Sequence, residues 1–82
     1  MPEKSKEQRI HDLDATLRVG KSGIESVVDE LDTQLDNESM VKVKFLRAAR
    51  GGTTSEELAD ELANHVNADV VRVRGHTAVV ER

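Results

Sequence analysis

Hydrophobic positions along the chain follow two periods, one helical and one extended, that alternate in blocks. Ile10, Leu13 and Leu17 fall on one helical stripe behind Ser5 and Gln8, which have the spacing of a capping box, so a helix is predicted from about Lys6 to Thr16. Leu17-Arg18-Val19 then reads as a short strand. Ile24, Val27, Val28, Leu31 and Leu35 recur at i, i+3, i+4, i+7 and i+11 and define one face of a second helix. Ser22 and Glu25 are spaced as its capping box, and Asp36-Asn37 ends it. From Met40 to Leu46 the period changes to two, with Val41, Val43 and Phe45 on one side and Lys42 and Lys44 on the other. Arg47 to Thr53, punctuated by Gly51-Gly52, reads as a loop. Thr54 and Glu57 cap a third helix carrying Leu58, Leu62 and Val66 with Ala59 and Ala63 beside them, ending near Asn67. Val70 to Arg74 is a strand with Val71 and Val73 on one face and Arg72 and Arg74 on the other. Gly75-His76 is short enough for a hairpin turn, and Thr77 to Glu81 is the last strand.

The predicted order is α-β-α-β-α-β-β. Both β-α-β crossovers are expected to be right-handed, which puts their helices on the same face of one sheet. The architecture is therefore an α/β two-layer domain over residues 5–82, with residues 1–4 a disordered start. The N-terminal helix is placed at the edge of the helical layer. The other face of the sheet is then open and shows Lys42, Lys44, Arg72 and Arg74 at alternate strand positions.

Composition narrows the classes. A domain of 82 residues buries only about 60% of its unfolded surface and leaves little room for a deep catalytic cavity. The chain has no cysteine, which removes disulfides and thiolate metal sites. No apolar run reaches membrane-spanning length, Met1 to Arg9 lack the apolar run of a secretory signal, and a cytoplasmic location without membrane contact is expected. The Asn37-Glu38-Ser39 sequon is read as chance in that setting.

Net charge is −4, yet charge is sorted by element. Segments 24–38 and 54–69 hold acids and no Lys or Arg, whereas 39–53 holds Lys42, Lys44, Arg47 and Arg50 and no acid. A basic surface is thus compatible with an acidic protein. Any single run is also what a solvated face looks like, and Lys42 and Lys44 would serve equally to keep an exposed sheet face soluble. Acid-rich helices, more Arg than Lys and a near absence of aromatics would suit a high-salt setting, in which counterion-driven binding weakens and backbone hydrogen bonds matter more.

The stretch with the most chemistry is Val19-Gly20-Lys21-Ser22-Gly23. A Gly-x-x-Gly turn opening a helix lets another backbone approach closely. The first helical amides lack internal partners and carry the positive end of the dipole, and Lys21 adds a charge. The same pattern also fits a plain structural turn. It is not a Walker A loop, because position 15 is Ala15 where that motif needs glycine. His11, His65 and His76 have no ligand spacing, so neither a metal nor another cofactor is expected, although His76 lies between two basic strands where it can meet a phosphate. The acids on the helices read as solvated faces and no nucleophile-base spacing is present, so no catalysis is expected. Phe45 is the sole aromatic and shares the face of Val41 and Val43, which leaves no platform for base stacking. Any nucleic-acid recognition would go to phosphate and 2′-OH groups.

Three stretches together resemble the CRM domain, or YhbY-like RNA-binding domain, family: Val19-Gly20-Lys21-Ser22-Gly23-Ile24, Val41-Lys42-Val43-Lys44-Phe45, and Val73-Arg74-Gly75-His76-Thr77-Ala78-Val79-Val80-Glu81-Arg82. The match runs from about Ser5 to the end and is similar to the small stand-alone bacterial and archaeal members. It departs from the family in carrying one more residue around Glu38-Ser39-Met40, ahead of the second strand. The resemblance implies a four-stranded mixed sheet similar to the C-terminal domain of translation initiation factor three. It also implies RNA binding at Gly20, Lys21, Ser22 and Gly23, with Lys42, Lys44, Arg47, Arg50, Arg72, Arg74 and His76 widening the footprint. The implied partner is structured RNA, ribosomal RNA or its precursor, in large-subunit assembly, bound by a monomer. The alternative is a protein-interaction module of the ribosome or translation machinery.

Overall fold

A computed structural model describes residues 5–82; the expectation for residues 1–4 lies outside the described residues. The elements are α1 (Lys6–Asp12), β1 (Ala15–Val19), a 3-10 turn (Ile24–Val27) running into α2 (Val28–Asn37), β2 (Met40–Phe45), a 3-10 turn (Arg47–Ala49), α3 (Ser55–His65), β3 (Asp69–Arg74) and β4 (Thr77–Glu81). The sheet order is β1-β2-β4-β3. β1 runs parallel to β2, while β4 is antiparallel to both β2 and β3, so the sheet is mixed.

One face of this sheet carries the main core. The predicted helical stripes supply Ile24, Val27, Leu31 and Leu35 from the second helical segment, and Leu58, Leu62 and Val66 from α3. They meet Leu17 and Val19 of β1, Val41, Val43 and Phe45 of β2, and Ala78 and Val80 of β4. Leu31, Leu62, Val19, Val43 and Phe45 are fully buried. β2 begins at Met40 and keeps the expected alternation, with Val41, Val43 and Phe45 buried. Gly75 takes a positive φ of 59° at the first position of the β3–β4 turn, which joins Arg74 to Thr77 across two residues.

Four local expectations are corrected. α1 ends at Asp12 rather than Thr16, because Leu13 is extended (φ −72°, ψ 129°) and Ala15 already pairs with Lys42. Sheet pairing overrides the helical preference of Ala15, which the poorer helix former Thr16 does not extend. The Ser22–Glu25 capping box does not form; Gly23 is the N-cap at φ 82° and ψ 177°, and the Ser26 hydroxyl donates to the Gly23 carbonyl at 2.8 Å. At Thr54 the expected cap does form, with its hydroxyl accepting from the Glu57 amide at 3.1 Å. Val71 does not share a face with Val73. The β3–β4 register shifts between Val70 and Arg72, so Val70 and Val73 pack on the main core while Val71 turns to the other side.

The fourth correction concerns α1. It does not sit at the edge of the helical layer but lies on the opposite face, where Ile10 packs with Met40 and Val79 and against Leu13 and Val71. Met40 and Val79 stand in the pairs Met40–Glu81 and Lys42–Val79, on the side of β2 and β4 that the sequence pattern left open. Two solvent-exposed ion pairs join the docked helix to the sheet, Lys6 to Glu81 at 3.0 Å and Glu7 to Arg72 at 3.3 Å, while burial of Ile10 holds it in place. The basic face is therefore partly covered.

Arg82 closes the helical layer. Its guanidinium donates to Asp32 and Asp36 side chains of α2, to the Asp32 carbonyl and to the Val66 carbonyl beyond α3. The hydrogen bond that Arg82 donates to Asp32, then the charges of both carboxylates, hold Arg82 above its ordinary pKa against the opposing cost of desolvation. Arg82→Ala is expected to lower the urea midpoint with an unchanged slope, because it unties α2 from the end of α3; an unaltered midpoint in a circular-dichroism titration would refute this.

Candidate nucleic-acid interface

The chain leaves β1 at Val19, makes the Gly20–Gly23 turn and enters the helical segment at Ile24. The Gly23 amide donates to the Gly20 carbonyl at 3.0 Å, closing the turn. Gly23 needs to be glycine, because its φ of 82° lies where side chains are strained. Gly20 does not need it for folding: an added Cβ would meet only Leu46 Cδ1, at an ordinary 3.8 Å. Lys21 and Ser22 are exposed. The amides of Ile24 and Glu25, first in the 3-10 turn, have no intrahelical acceptor, although the exposed Glu25 carboxylate competes there for positive potential.

Backbone hydrogen bonds gather three more segments at this end of the sheet. The Leu46 amide donates to the Val19 carbonyl at 2.8 Å, placing the start of the 46–53 loop beside Gly20. The Phe45 amide donates to the His76 carbonyl at 2.7 Å, placing the exposed hairpin tip on the other side. Arg50 folds back, donating Nε to the Phe45 carbonyl at 3.2 Å, so it holds the loop as well as charging it. Arg47 is exposed.

Strand register orders the cations into two rows on the face opposite the main core. The outer row, nearest the turn, pairs Arg18 with Lys44, Lys44 with Thr77, and Thr77 with Arg74. At about 4.8 Å between strands it spans roughly 14 Å. The inner row pairs Lys42 with Val79 and Val79 with Arg72, and it abuts α1. Arg72 is the member engaged by Glu7. The outer row has no carboxylate partner among the described residues. The exposed acids of α2 and α3, Asp29, Glu30, Asp60 and Glu61 among them, belong to the helical layer behind the sheet. Among the described residues no three of His, Cys, Asp and Glu converge as a metal site requires, and no helix is long and apolar enough to cross a membrane.

The sequence profile of the CRS1/YhbY (CRM) domain matches residues 3–82. The chain belongs to this family. A relative from Methanocaldococcus jannaschii, named a probable RNA-binding protein, is 38% identical over 74 residues, which are 90% of this chain and 55% of the relative. The chain thus spans about half the length of that curated relative. Among solved structures, the CRM fold seen here is similar to the solution structure of a Staphylococcus aureus protein put forward as an RNA-binding protein. The two agree with a TM-score of 0.75 and 28% identity over 93% of this chain and 78% of the other.

Two residues of this CRM domain's surface escape the sequence pattern. Arg18 stands between Leu17 and Val19, and its alternation is legible, but only the parallel register aligns it with Lys44. Leu46 reads as the last apolar residue of a strand, yet it is 37% exposed, beside Gly20. The strand stops at Phe45, and Leu46 turns out of the sheet with the loop.

Proposed function

We propose that the chain is a non-enzymatic RNA-binding protein that grips the backbone of structured RNA, in assembly of the large ribosomal subunit. One observation carries this reading: a Gly20–Gly23 turn with Lys21 and Ser22 exposed stands at the end of a row of cations that pairs with no carboxylate among the described residues. Gly20 and Gly23 admit a sugar-phosphate strand closely, Lys21 and the amides beyond it meet one phosphate, and Arg18, Lys44, Arg74, Arg47, Arg50 and His76 meet its neighbours. Lys42 and Arg72 extend the footprint towards α1. Phe45 is wholly buried, so bases have no aromatic face to stack on and recognition goes to backbone and shape. The names of the two relatives support RNA as the partner class.

Filter binding of a structured ribosomal RNA fragment, repeated over a range of salt, tests the reading. The logarithm of the affinity is expected to fall linearly with the logarithm of salt, by about 0.7–0.9 for each phosphate neutralised. Lys21→Ala is expected to reduce that slope by about one contact and to weaken binding to all structured RNAs alike. No affinity at moderate salt, or a slope indifferent to Lys21, would overturn it and favour a protein partner instead.

A further inference from the structure

The covered part of the basic face holds a feature that the Gly20–Gly23 turn does not use. Between α1 and the sheet is a small pocket of about 60 Å³, room enough for a phosphate group. Ile10 and Val79, 4% and 2% exposed, form an apolar floor. His11, Lys42, Arg72 and Arg74 form the rim. Register explains the convergence: Lys42 and Arg72 flank Val79 from the strands on either side, and Arg74 stands one pair further along beside Thr77. Lys42 and Arg72 thus stand two strand spacings apart across Val79, leaving an apolar position between two cations. From α1, Glu7 engages Arg72. Lys42 and Arg74 have no carboxylate partner among the described residues.

We infer that this pocket is a phosphate-binding site in its own right, with α1 as its second wall. Arginine forks suit phosphate oxygens, and Lys42 adds a point charge from the opposite strand. The apolar floor keeps water from solvating the anion on its inner side, which strengthens each charged hydrogen bond. The pocket is lined from β2, β4 and β3 and is centred on β4, two strand spacings or roughly 10 Å from β1, so one phosphate cannot occupy it and the Gly20–Gly23 turn together. Glu7 is the internal competitor: phosphate entering the pocket takes Arg72 from it. The phosphate belongs either to an RNA strand or to a free nucleotide, and only the first source rests on the RNA reading above.

The test is a series of amide NMR titrations of the full ¹⁵N-labelled chain at constant ionic strength, with inorganic phosphate, adenosine monophosphate, adenosine and chloride as probes. Phosphate and the monophosphate are expected to give saturable shifts at His11, Lys42, Arg72, Arg74 and Thr77, and adenosine and chloride none. Lys42→Gln with Arg74→Gln is expected to weaken phosphate about ten- to a hundredfold. Glu7→Gln is expected to strengthen it severalfold by releasing Arg72, a gain that loss of fold cannot imitate. Lys21→Glu should leave it unchanged, which separates the fate of the pocket from that of the turn. Structured RNA that shifts the same signals and displaces the monophosphate assigns the site to an RNA backbone; RNA that binds without moving them assigns it to a free nucleotide. Shifts that rise without saturation, that chloride reproduces, or that survive the double substitution overturn the site.

Discussion

Truncating Phe45 to alanine is expected to lower the free energy of unfolding by about 3–5 kcal/mol. Phe45 is fully buried on the second strand of the sheet, next to Val19 on one side and the β4 strand on the other. It is the sole aromatic residue, so no other side chain in the core has comparable bulk to relax into the space left behind. A domain of this length has a total stability of about 4–12 kcal/mol at the usual 0.05–0.15 kcal/mol per residue, so the variant sits near the edge of unfolding. Urea unfolding followed by circular dichroism checks it: the midpoint should fall sharply with little change in slope. A loss below about 1 kcal/mol would mean that the core closes over the gap, contrary to the packing described.

The two glycines of the turn are expected to behave differently, and the contrast is the second large effect. Gly23→Ala places a side chain at φ 82° and ψ 177°, a region kept by glycine, and should cost about 1–3 kcal/mol of stability or force the turn to rearrange. Gly20→Ala has no such strain and an ordinary contact with Leu46, so the fold should be almost unaffected. If the turn seats an RNA backbone, Gly20→Ala nevertheless weakens binding, because its methyl group stands where the strand must approach. Thermal melts and RNA titrations on both variants separate the cases. Equal loss of stability would contradict the geometry; unchanged RNA affinity in Gly20→Ala would contradict the close approach.

The helical stripes were legible because each is long enough to show its period. Ile24, Leu31 and Leu35, like Leu58, Leu62 and Val66, are buried where the pattern put them. The caps were legible only in part, since a Ser-x-x-Glu spacing cannot reveal that Gly23 adopts a left-handed φ and takes over the cap position. The β3 pattern Val70-Val71-Arg72-Val73-Arg74 looks like alternation with one apolar residue to spare, and strand pairing alone says where the bulge removes it.

Local periodicity by itself determined the element order, the main core, the separation of acidic helices from basic strands and the exposed glycine turn, because each depends on residues a few positions apart. Tertiary structure alone decided that Arg18 joins Lys44, Thr77 and Arg74 in one row, that Glu7 engages Arg72, and that α1 lies across the basic face. These depend on strand register and on which side of the sheet a seven-residue helix can bury Ile10. A single apolar residue on a short helix marks that it must dock but not where; the unpaired apolar surface of Met40, Val71 and Val79 supplies the place.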